Sequence, residues 1–417
     1  MADPEPGSEN GSRGAETAFP NRNFLFLIAS RFLSATAILM QSVAIGWQIY
    51  AQTGKVAYLG YIGLAQFAPF FIFILWSGQV ADRHERRKIL IACNSAYLIG
   101  SLALLAYTVW GGRSVAPVFA ILALLGTSRA FSMPAGQAML RNVVPDSQLR
   151  RAIPIATGTF HVAVVAGPML GGFLYLAGPA VVHATVSLCL LLAILMMVLV
   201  RTRQVRGPNG PITLRSSLEG FRYVTSKPVL MGAISLDLFA GLFGGATAML
   251  PAMARDVLHA DSPTLGLLRA APAAGAAVMS ILLARFPLRR RVGAWMFAGV
   301  AVFGLATIAF GLSKVVWLSL AALFLLGVGD MLSVFVRQYL IQGGTPDAVR
   351  GRVSAVSSVC IGATNELGEF ESGLTAGWMG LVPSVAAGGV AALVITGAWM
   401  LLFPVLRKMD AFPPEAR

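Results

Sequence analysis

Long apolar runs alternate with short polar segments along almost the whole chain. Twelve of these runs have about the 20 residues that an α-helix needs to cross the hydrocarbon core of a bilayer. The pattern therefore predicts twelve membrane-spanning helices. Six of them lie in the first half of the chain, at Phe24–Tyr50, Tyr58–Ser77, Ile89–Trp110, Ala116–Ala135, Ala152–Leu176 and Ala180–Val200. Six lie in the second half, at Pro228–Ala252, Pro263–Ala284, Val292–Leu312, Val315–Val336, Val353–Trp378 and Ser384–Val405.

The longest polar stretch between these runs divides the chain into two halves. We expect a tail at 1–23, a six-helix bundle at 24–200, a linker at 201–227, a second six-helix bundle at 228–405 and a tail at 406–417. An internal repeat supports this division, because a shift of 201 residues superimposes related motifs of the two halves. Pro145 and Asp146 fall on Pro346 and Asp347, Arg129 on Asp330, Gly167 on Gly368, and Gly172 on Gly373. Two related halves are common in membrane transporters.

The composition excludes a soluble protein. Hydrophobic residues make up 56% of the chain and charged residues 12%, with a mean hydropathy of +0.73. The net charge of +14 does not indicate a nucleic-acid partner, because 25 of the 32 lysines and arginines fall on the side of the membrane that holds both tails and only four on the other. This bias predicts cytoplasmic termini in a multi-pass cell (inner) membrane protein. The first 23 residues lack the order of a signal peptide, and the three cysteines match no metal-ligand spacing, so neither a metal nor a cofactor is expected.

A dense charged segment, residues 78–88, separates the second and third apolar runs. It contains Gly78, Asp82, Arg83 and Arg86, and it resembles the signature loop between helices 2 and 3 of the major facilitator superfamily. The resemblance implies that Gly78 permits a tight exit from helix 2 and that Asp82, held by Arg83, contacts the start of helix 11 as a cytoplasmic latch. A helix N-terminus attracts an anion through its dipole. Alternatively, the arginines only reflect the positive-inside rule.

Gly167, Pro168, Gly171 and Gly172 form a second motif, in helix 5. It resembles part of the glycine–proline motif of drug/proton antiporters in the same superfamily. Small residues permit close helix approach and proline bends a helix. The motif therefore predicts either a seal between the halves that favours export, or ordinary helix packing.

Charged residues inside predicted spans are costly and indicate function. Arg31, Arg129, Asp237 and Asp330 lie in helices 1, 4, 7 and 10, which line the central cavity in the superfamily. They are candidates for substrate binding or for gating ion pairs, and static pairing is the alternative.

Helix 11 is unusually acidic, with Glu366, Glu369 and Glu371. Glu366 and Glu369 share one helix face, and Arg269 in helix 8 lies at a depth where it can pair with one of them. A buried carboxylate beside another acid has a raised pKa, as a proton carrier requires. Glu366, Glu369 and Asp237 are therefore the candidates for proton coupling, and a structural network is the alternative.

The segments 46–50, 266–272 and 345–356 resemble the branch of the superfamily that contains enterobactin exporters and macrolide-efflux proteins. The resemblance implies an all-α fold with two pseudo-symmetric six-helix bundles. It further implies export of a siderophore-like or drug-like small molecule by alternating access, with protons as counter-ions and a monomer as the expected state. No sequence motif points to an enzyme. A proton-independent facilitator, an importer, or a transport-dead scaffold of the same fold remain alternatives.

Overall fold

The computed structural model describes residues 20–202, 221–288 and 290–412. Within these ranges the chain folds into a bundle of long helices. They are α1 (Arg22–Thr53), α2 (Ala57–Arg83), α3 (Arg86–Val109), α4 (Ala116–Val143), α5 (Asp146–Tyr175), α6 (Pro179–Leu199), α7 (Pro228–Phe243), α8 (Ser262–Arg285), α9 (Val292–Leu312), α10 (Val316–Gly343), α11 (Asp347–Met379) and α12 (Leu381–Leu402).

Eleven of these described segments have the length and apolarity of membrane spans when α7 is counted with its continuation to Val257. The twelfth, α11, is 33 residues long but carries the acidic residues noted above. The expected all-α polytopic membrane fold is thereby confirmed.

The two halves repeat the same helix packing. In the first half α1 packs on α5 and α6, α2 on α4, and α3 on α4 and α6. In the second half α7 packs on α11 and α12, α8 on α10, and α9 on α10 and α12. The equivalent helices α5 and α11 begin at Asp146 and Asp347, after prolines with nearly identical backbone angles (φ −59° and ψ 151° at Pro145, φ −57° and ψ 144° at Pro346). The sequence repeat is therefore also a structural repeat.

Twelve crossings bring both ends of the described chain to one end of the bundle, which we call the terminal end. The opposite end is called the far end. The C-terminal segment is held at the terminal end by the start of α9, where the backbone N–H groups of Val292 and Gly293 donate to the carbonyl oxygens of Asp410 and Met409.

Helix α7 breaks at Gly244 and Gly245, and the chain continues through a 3₁₀ turn (Ala246–Met249), a short helix (Leu250–Ala252) and a π-turn (Met253–Val257). The break coincides with close backbone contact to α11. A methyl group on Gly245 would lie 2.4 Å from the carbonyl oxygen of Gly368. Only glycine permits this approach between α7 and α11.

Several helices continue past the predicted ends of their apolar runs, which corrects two sequence assignments. Helix α2 continues to Arg83, so Gly78 lies inside it rather than at its exit, and the turn comes at His84, where the backbone becomes extended (φ −112°, ψ 159°). Helix α10 continues to Gly343, so Arg337 is a helical residue rather than a loop residue. Helices project beyond the hydrocarbon core, so the length of an apolar run sets only a minimum length for a helix.

The halves meet at the far end through a shared apolar cluster. Val43, Tyr50 and Leu59 of the first half belong to the same buried cluster as Met249 and Leu265 of the second half. Helix α5 also packs on α8, and α2 on α11. The contacts that join the halves therefore run from the middle of the bundle to its far end.

Candidate functional site

A cavity of about 610 Å³ lies where the two halves face each other and continues into the first half. One face of α1 lines it at Ser34, Ile38, Gln41 and Ile45, and α3 and α4 provide further walls. Among the described residues, the second half contributes Ala248, Pro251, Arg269 and Glu369. The cavity is therefore built mainly from the first half, and the second half closes it.

The charges on the cavity wall are mostly positive. Arg31, Arg129, Arg269 and Glu369 line it. Because arginine keeps its proton in proteins, three positive charges face one carboxylate. The guanidinium carbon of Arg129 also lies 5.5 Å from the centre of the Phe70 ring, within the range of a cation–π contact. The described wall thus favours a negatively charged group.

The side chain of Arg269, in the second half, approaches α1 of the first half on the side of the cavity nearer the far end. Its guanidinium interacts electrostatically with Glu369, and a direct ion pair of Arg269 with an acid of α11 stays a prediction. A methyl group on Gly46 of α1 would lie 3.8 Å from Nη1 of Arg269 and 3.2 Å from Cγ of Pro251. Arg269 therefore reaches from α8 to α1 of the first half, and Glu369 carries the opposite charge beside the cavity.

The predicted cavity acids of α7 and α10 lie elsewhere. Asp237 forms an ion pair with Arg337, and both side chains are largely buried. The side chain of Asp330 faces open space although protein surrounds it. It lies seven residues before Arg337, so the two share a face of α10. That face lies between the sides that contact α8 (through Gly327) and α9 (through Gly329). Asp237 and Asp330 stand outside the described cavity lining, and their role in gating stays a prediction.

The glycine motif of α5 packs against α1 within the first half and also against α8 of the second half. Methyl groups on Gly167 and Gly171 would lie 2.8 Å from Leu39 Cβ and 2.8 Å from the Met40 carbonyl oxygen of α1, within the first half. A methyl group on Gly172 would lie 2.4 Å from the Ser262 carbonyl oxygen of α8, and one on Gly266 would lie 2.6 Å from the Pro168 carbonyl oxygen. The motif thus packs α5 on α1 and also joins the two halves at the far end.

Two further contacts close the far end. The hydroxyl of Tyr50, in α1, donates a hydrogen bond to Asp256 in the continuation of α7, and the guanidinium of Arg255 lies 5.9 Å from the centre of the Tyr50 ring. Helices α2 and α11 touch at Gly60 and Gly373, where a methyl group on Gly60 would lie 2.9 Å from the Cα of Gly373. These contacts must part if the cavity is to open at the far end.

The charged segment 78–88 ties helices together within the first half. Arg86 donates to the Ala138 carbonyl oxygen (3.3 Å) and to Asn142 Oδ1 (3.0 Å) of α4, while Arg87 donates to the Val198 carbonyl oxygen of α6 (2.6 Å). Arg83 is exposed. The side chain of Asp82 lies outside the described residues, as does that of Glu366, so the latch to α11 and the proton role of Glu366 stay predictions.

Two site residues were not found by the sequence analysis. Arg337 lies one residue beyond the predicted end of helix 10, although Asp237, an acid inside a predicted span, requires a basic partner. Gln41 was not singled out, although Ser34, Gln41 and Gln48 repeat at seven-residue spacing along one side of α1. In the described part of the chain, no group of three or more His, Cys, Asp and Glu side chains is arranged to hold a metal ion.

Comparison with known proteins agrees with this geometry. The sequence profile of the transmembrane secretion effector family matches residues 15–416. The chain belongs to this family. The enterobactin exporter EntS of Citrobacter koseri is 25% identical over 397 residues, and that of Shigella flexneri is 24% identical over 394 residues; each match covers 94% of both chains. The crystal structure of a bacterial homologue of the human lysosomal transporter Spinster, in an inward-facing and unoccupied conformation, matches with a TM-score of 0.71 at 16% identity, over 95% of this chain and 100% of that one.

These matches confirm the superfamily predicted from the sequence. The secretion effector is a multi-pass membrane transporter of the efflux type and not an enzyme. The structural likeness, at its low identity, establishes the shared fold.

Proposed function

We propose that this secretion effector exports an anionic small molecule, siderophore-like rather than a cationic drug, through the cavity between its halves. The observation that carries the proposal is the charge of the described cavity wall, three arginines against one glutamate. The arginines and acids of the sequence left anionic and cationic cargo equally open. The wall favours the anion, because Asp237 pairs with Arg337 instead of facing the cavity. The enterobactin exporters among its relatives support a siderophore-like cargo.

The contacts between the halves at the far end support alternating access as the transport mode. With the terminal end in the cytoplasm, as the positive-inside bias predicts, the closed far end faces outward and the cargo enters from the cytoplasm. Export then requires the Tyr50–Asp256 and Gly172–Ser262 contacts to part. The latch of Asp82 on α11 would hold the cytoplasmic end closed in the other state, with Arg83 and Arg86 beside it.

Protons are the proposed counter-ions, with Glu369 as the carrier. While the far end is closed, Arg269 neutralises the ionised carboxylate of Glu369. As the far end opens, a cargo anion binds Arg269 in place of Glu369. The carboxylate of Glu369 then accepts a proton from outside. Re-forming the pair on closure expels this proton to the cytoplasm. One anion moving out and one proton moving in carry two charges, which is worth about 4.6 kcal/mol per 100 mV of membrane potential.

The test is transport into proteoliposomes whose outer surface carries the terminal end. Enterobactin, an anionic fluorescent dye and the cation ethidium are offered to the wild type, to Arg129→Gln, and to Arg87→Gln as a control arginine outside the cavity. We expect uptake of the anions by the wild type and the control, and loss of uptake with Arg129→Gln. Preferential uptake of ethidium, or full activity of Arg129→Gln, would contradict anionic cargo.

A further inference from the structure

The cavity contains a buried amide whose hydrogen-bonding groups are not used by the protein. Gln41 of α1 is 2% exposed and lines the cavity. Within the described ranges, neither its Nε2 nor its Oε1 has a hydrogen-bond partner. Buried polar side chains are almost always hydrogen-bonded, because an unsatisfied donor or acceptor loses its bonds to water without compensation. The amide of Gln41 therefore has unused hydrogen-bonding capacity beside the cavity.

A second glutamine on the same side of α1, Gln48, is buried like Gln41 but has hydrogen-bond partners. Gln48 is also buried, but its Nε2 donates to Thr108 Oγ1 (3.2 Å) and its Oε1 lies 3.2 Å from Nε2 of His183. The first half can therefore satisfy a buried glutamine with its own side chains. It does so one heptad beyond Gln41 and not at Gln41 itself.

Two neighbouring hydroxyl groups that line the cavity on α1 are already engaged. The hydroxyls of Ser34 and Ser42 donate to the carbonyl oxygens of Arg31 and Leu39, at 3.2 and 2.9 Å. The cavity lining also includes the apolar side chains of Ile38, Ile45, Leu122 and Leu125 and the polar side chains of Gln66, Asn94 and Tyr97. A hydrogen bond that a ligand makes in such an enclosed site is stronger than the same bond in water.

The distances along α1 between Gln41 and the arginines of the cavity wall set the length of a molecule that could contact both. It lies ten residues beyond Arg31 along α1, which corresponds to about 15 Å of helix rise. It lies five residues, about 7.5 Å, before Gly46, the residue that Arg269 reaches. A molecule held by either arginine can place a neutral group beside Gln41 if it extends over roughly this length.

We propose that Gln41 is a specificity-determining residue that binds a carboxamide of the exported anion. A carboxamide presents an N–H donor beside a C=O acceptor, and the side-chain amide of glutamine offers the complementary pair. The inference rests on the proposed anionic cargo and adds to it a neutral amide at a distance from the charge. A site built to hydrogen-bond a group strongly rejects an analogue that lacks it, because its own buried groups are then left unpaired.

Two fluorescent probes of equal charge and length test the inference: 6-(1-naphthoylamino)hexanoate and its ester counterpart 6-(1-naphthoyloxy)hexanoate, which lacks the amide N–H. Binding to the purified protein is measured with the wild type, Gln41→Leu, and Gln48→Leu as the matched control. We expect the wild type to bind the amide about tenfold more tightly than the ester. Gln41→Leu should bind both probes equally, and Gln48→Leu should keep the wild-type preference.

Thermal unfolding separates binding from folding. Gln41→Leu should unfold at the same temperature as the wild type or higher, since it removes an unsatisfied buried amide. Gln48→Leu should unfold at a lower temperature, because it removes the hydrogen bond to Thr108 and leaves Nε2 of the buried His183 without its partner. Binding of both probes without discrimination, or a preference that survives Gln41→Leu, would overturn the role of Gln41 while leaving the anionic site intact. Failure of both probes to bind the wild type would overturn the anionic site and this inference together.

Discussion

The contact of Gly172 with α8 offers a direct test of how the two halves close. A methyl group on Gly172 would lie 2.4 Å from the Ser262 carbonyl oxygen and 3.0 Å from the Cα of Gly266, whereas ordinary van der Waals contact begins at 3.4 Å. Gly172→Ala therefore pushes α5 and α8 apart by about 1 Å where backbone meets backbone. Overpacking of this kind costs about 1–3 kcal/mol. That cost applies only while the far end is closed, so the ratio of the closed to the open population should fall by a factor of about 5–150.

Gly158 in the same helix provides the matched control, because nothing lies within 4 Å of a methyl group placed there. Alanine is a better helix former than glycine by about 1 kcal/mol. Both variants gain this contribution equally, and the difference between Gly172→Ala and Gly158→Ala isolates the contact between the halves.

Distances between spin labels report the populations. Labels at Arg113 and Lys314 occupy equivalent far-end loops, and labels at His84 and Arg285 occupy equivalent positions at the terminal end; all four residues are exposed. The three native cysteines are first replaced. Gly172→Ala should increase the fraction of molecules with a long distance between the far-end labels. It should also increase the fraction with a short distance between the terminal-end labels. If Gly172→Ala and Gly158→Ala gave the same distributions, the far-end seal would not depend on this contact.

Three further predictions follow from other contacts. Tyr50→Phe removes one hydrogen bond across the far end and should open it by about 0.5–1.5 kcal/mol, which the same labels would detect; unchanged distances would contradict a gating role. Arg337→Leu leaves Asp237 as a buried charge without its partner and should cost about 3–5 kcal/mol in thermal unfolding, and adding Asp237→Asn should recover much of it; an equally unstable double variant would refute the argument. Asp261 caps α8 through hydrogen bonds from Thr264 that hold the pKa of its carboxyl below the usual value, so its contribution is complete above the unfolded-state pKa and is lost as the pH falls through the lowered one. Asp261→Ala should therefore cost about 1 kcal/mol at neutral pH and little in acid, and a cost that persists in acid would contradict the capping role.

The fold was largely predictable because a bilayer constrains a sequence strongly. Each span needs a long apolar run, so the twelve helices and the two halves were evident without any contact information. The predicted starts of helices 5 and 11, Ala152 and Val353, are equivalent in the repeat, and the observed starts at Asp146 and Asp347 each lie six residues earlier. Helix ends outside the hydrocarbon core are not constrained in this way, which is why α2 was ended before Gly78 and α10 before Arg337.

The site was only partly predictable, because charge in a helix does not reveal which neighbour it meets. Arg31 and Arg129 line the cavity, and Arg269 interacts electrostatically with Glu369 of α11. The sequence could not tell that Asp237 pairs with Arg337, since that pairing depends on how α7 and α10 rotate against each other. Gln41 carries no charge and stood inside an apolar run, so its significance came only from its burial without a partner.

Proton movement driven by cargo is the measurement that tests the account most directly. Proteoliposomes with the terminal end outward contain a trapped pH dye, and enterobactin is added to the wild type, Glu369→Gln, Glu366→Gln and Asp237→Asn. The account predicts that cargo entry raises the pH inside the vesicles and that Glu369→Gln abolishes this rise. Cargo entry without a pH change would make the protein a facilitator, and acidification of the vesicle interior would mean that proton and cargo move together; either result would contradict the proposed exchange.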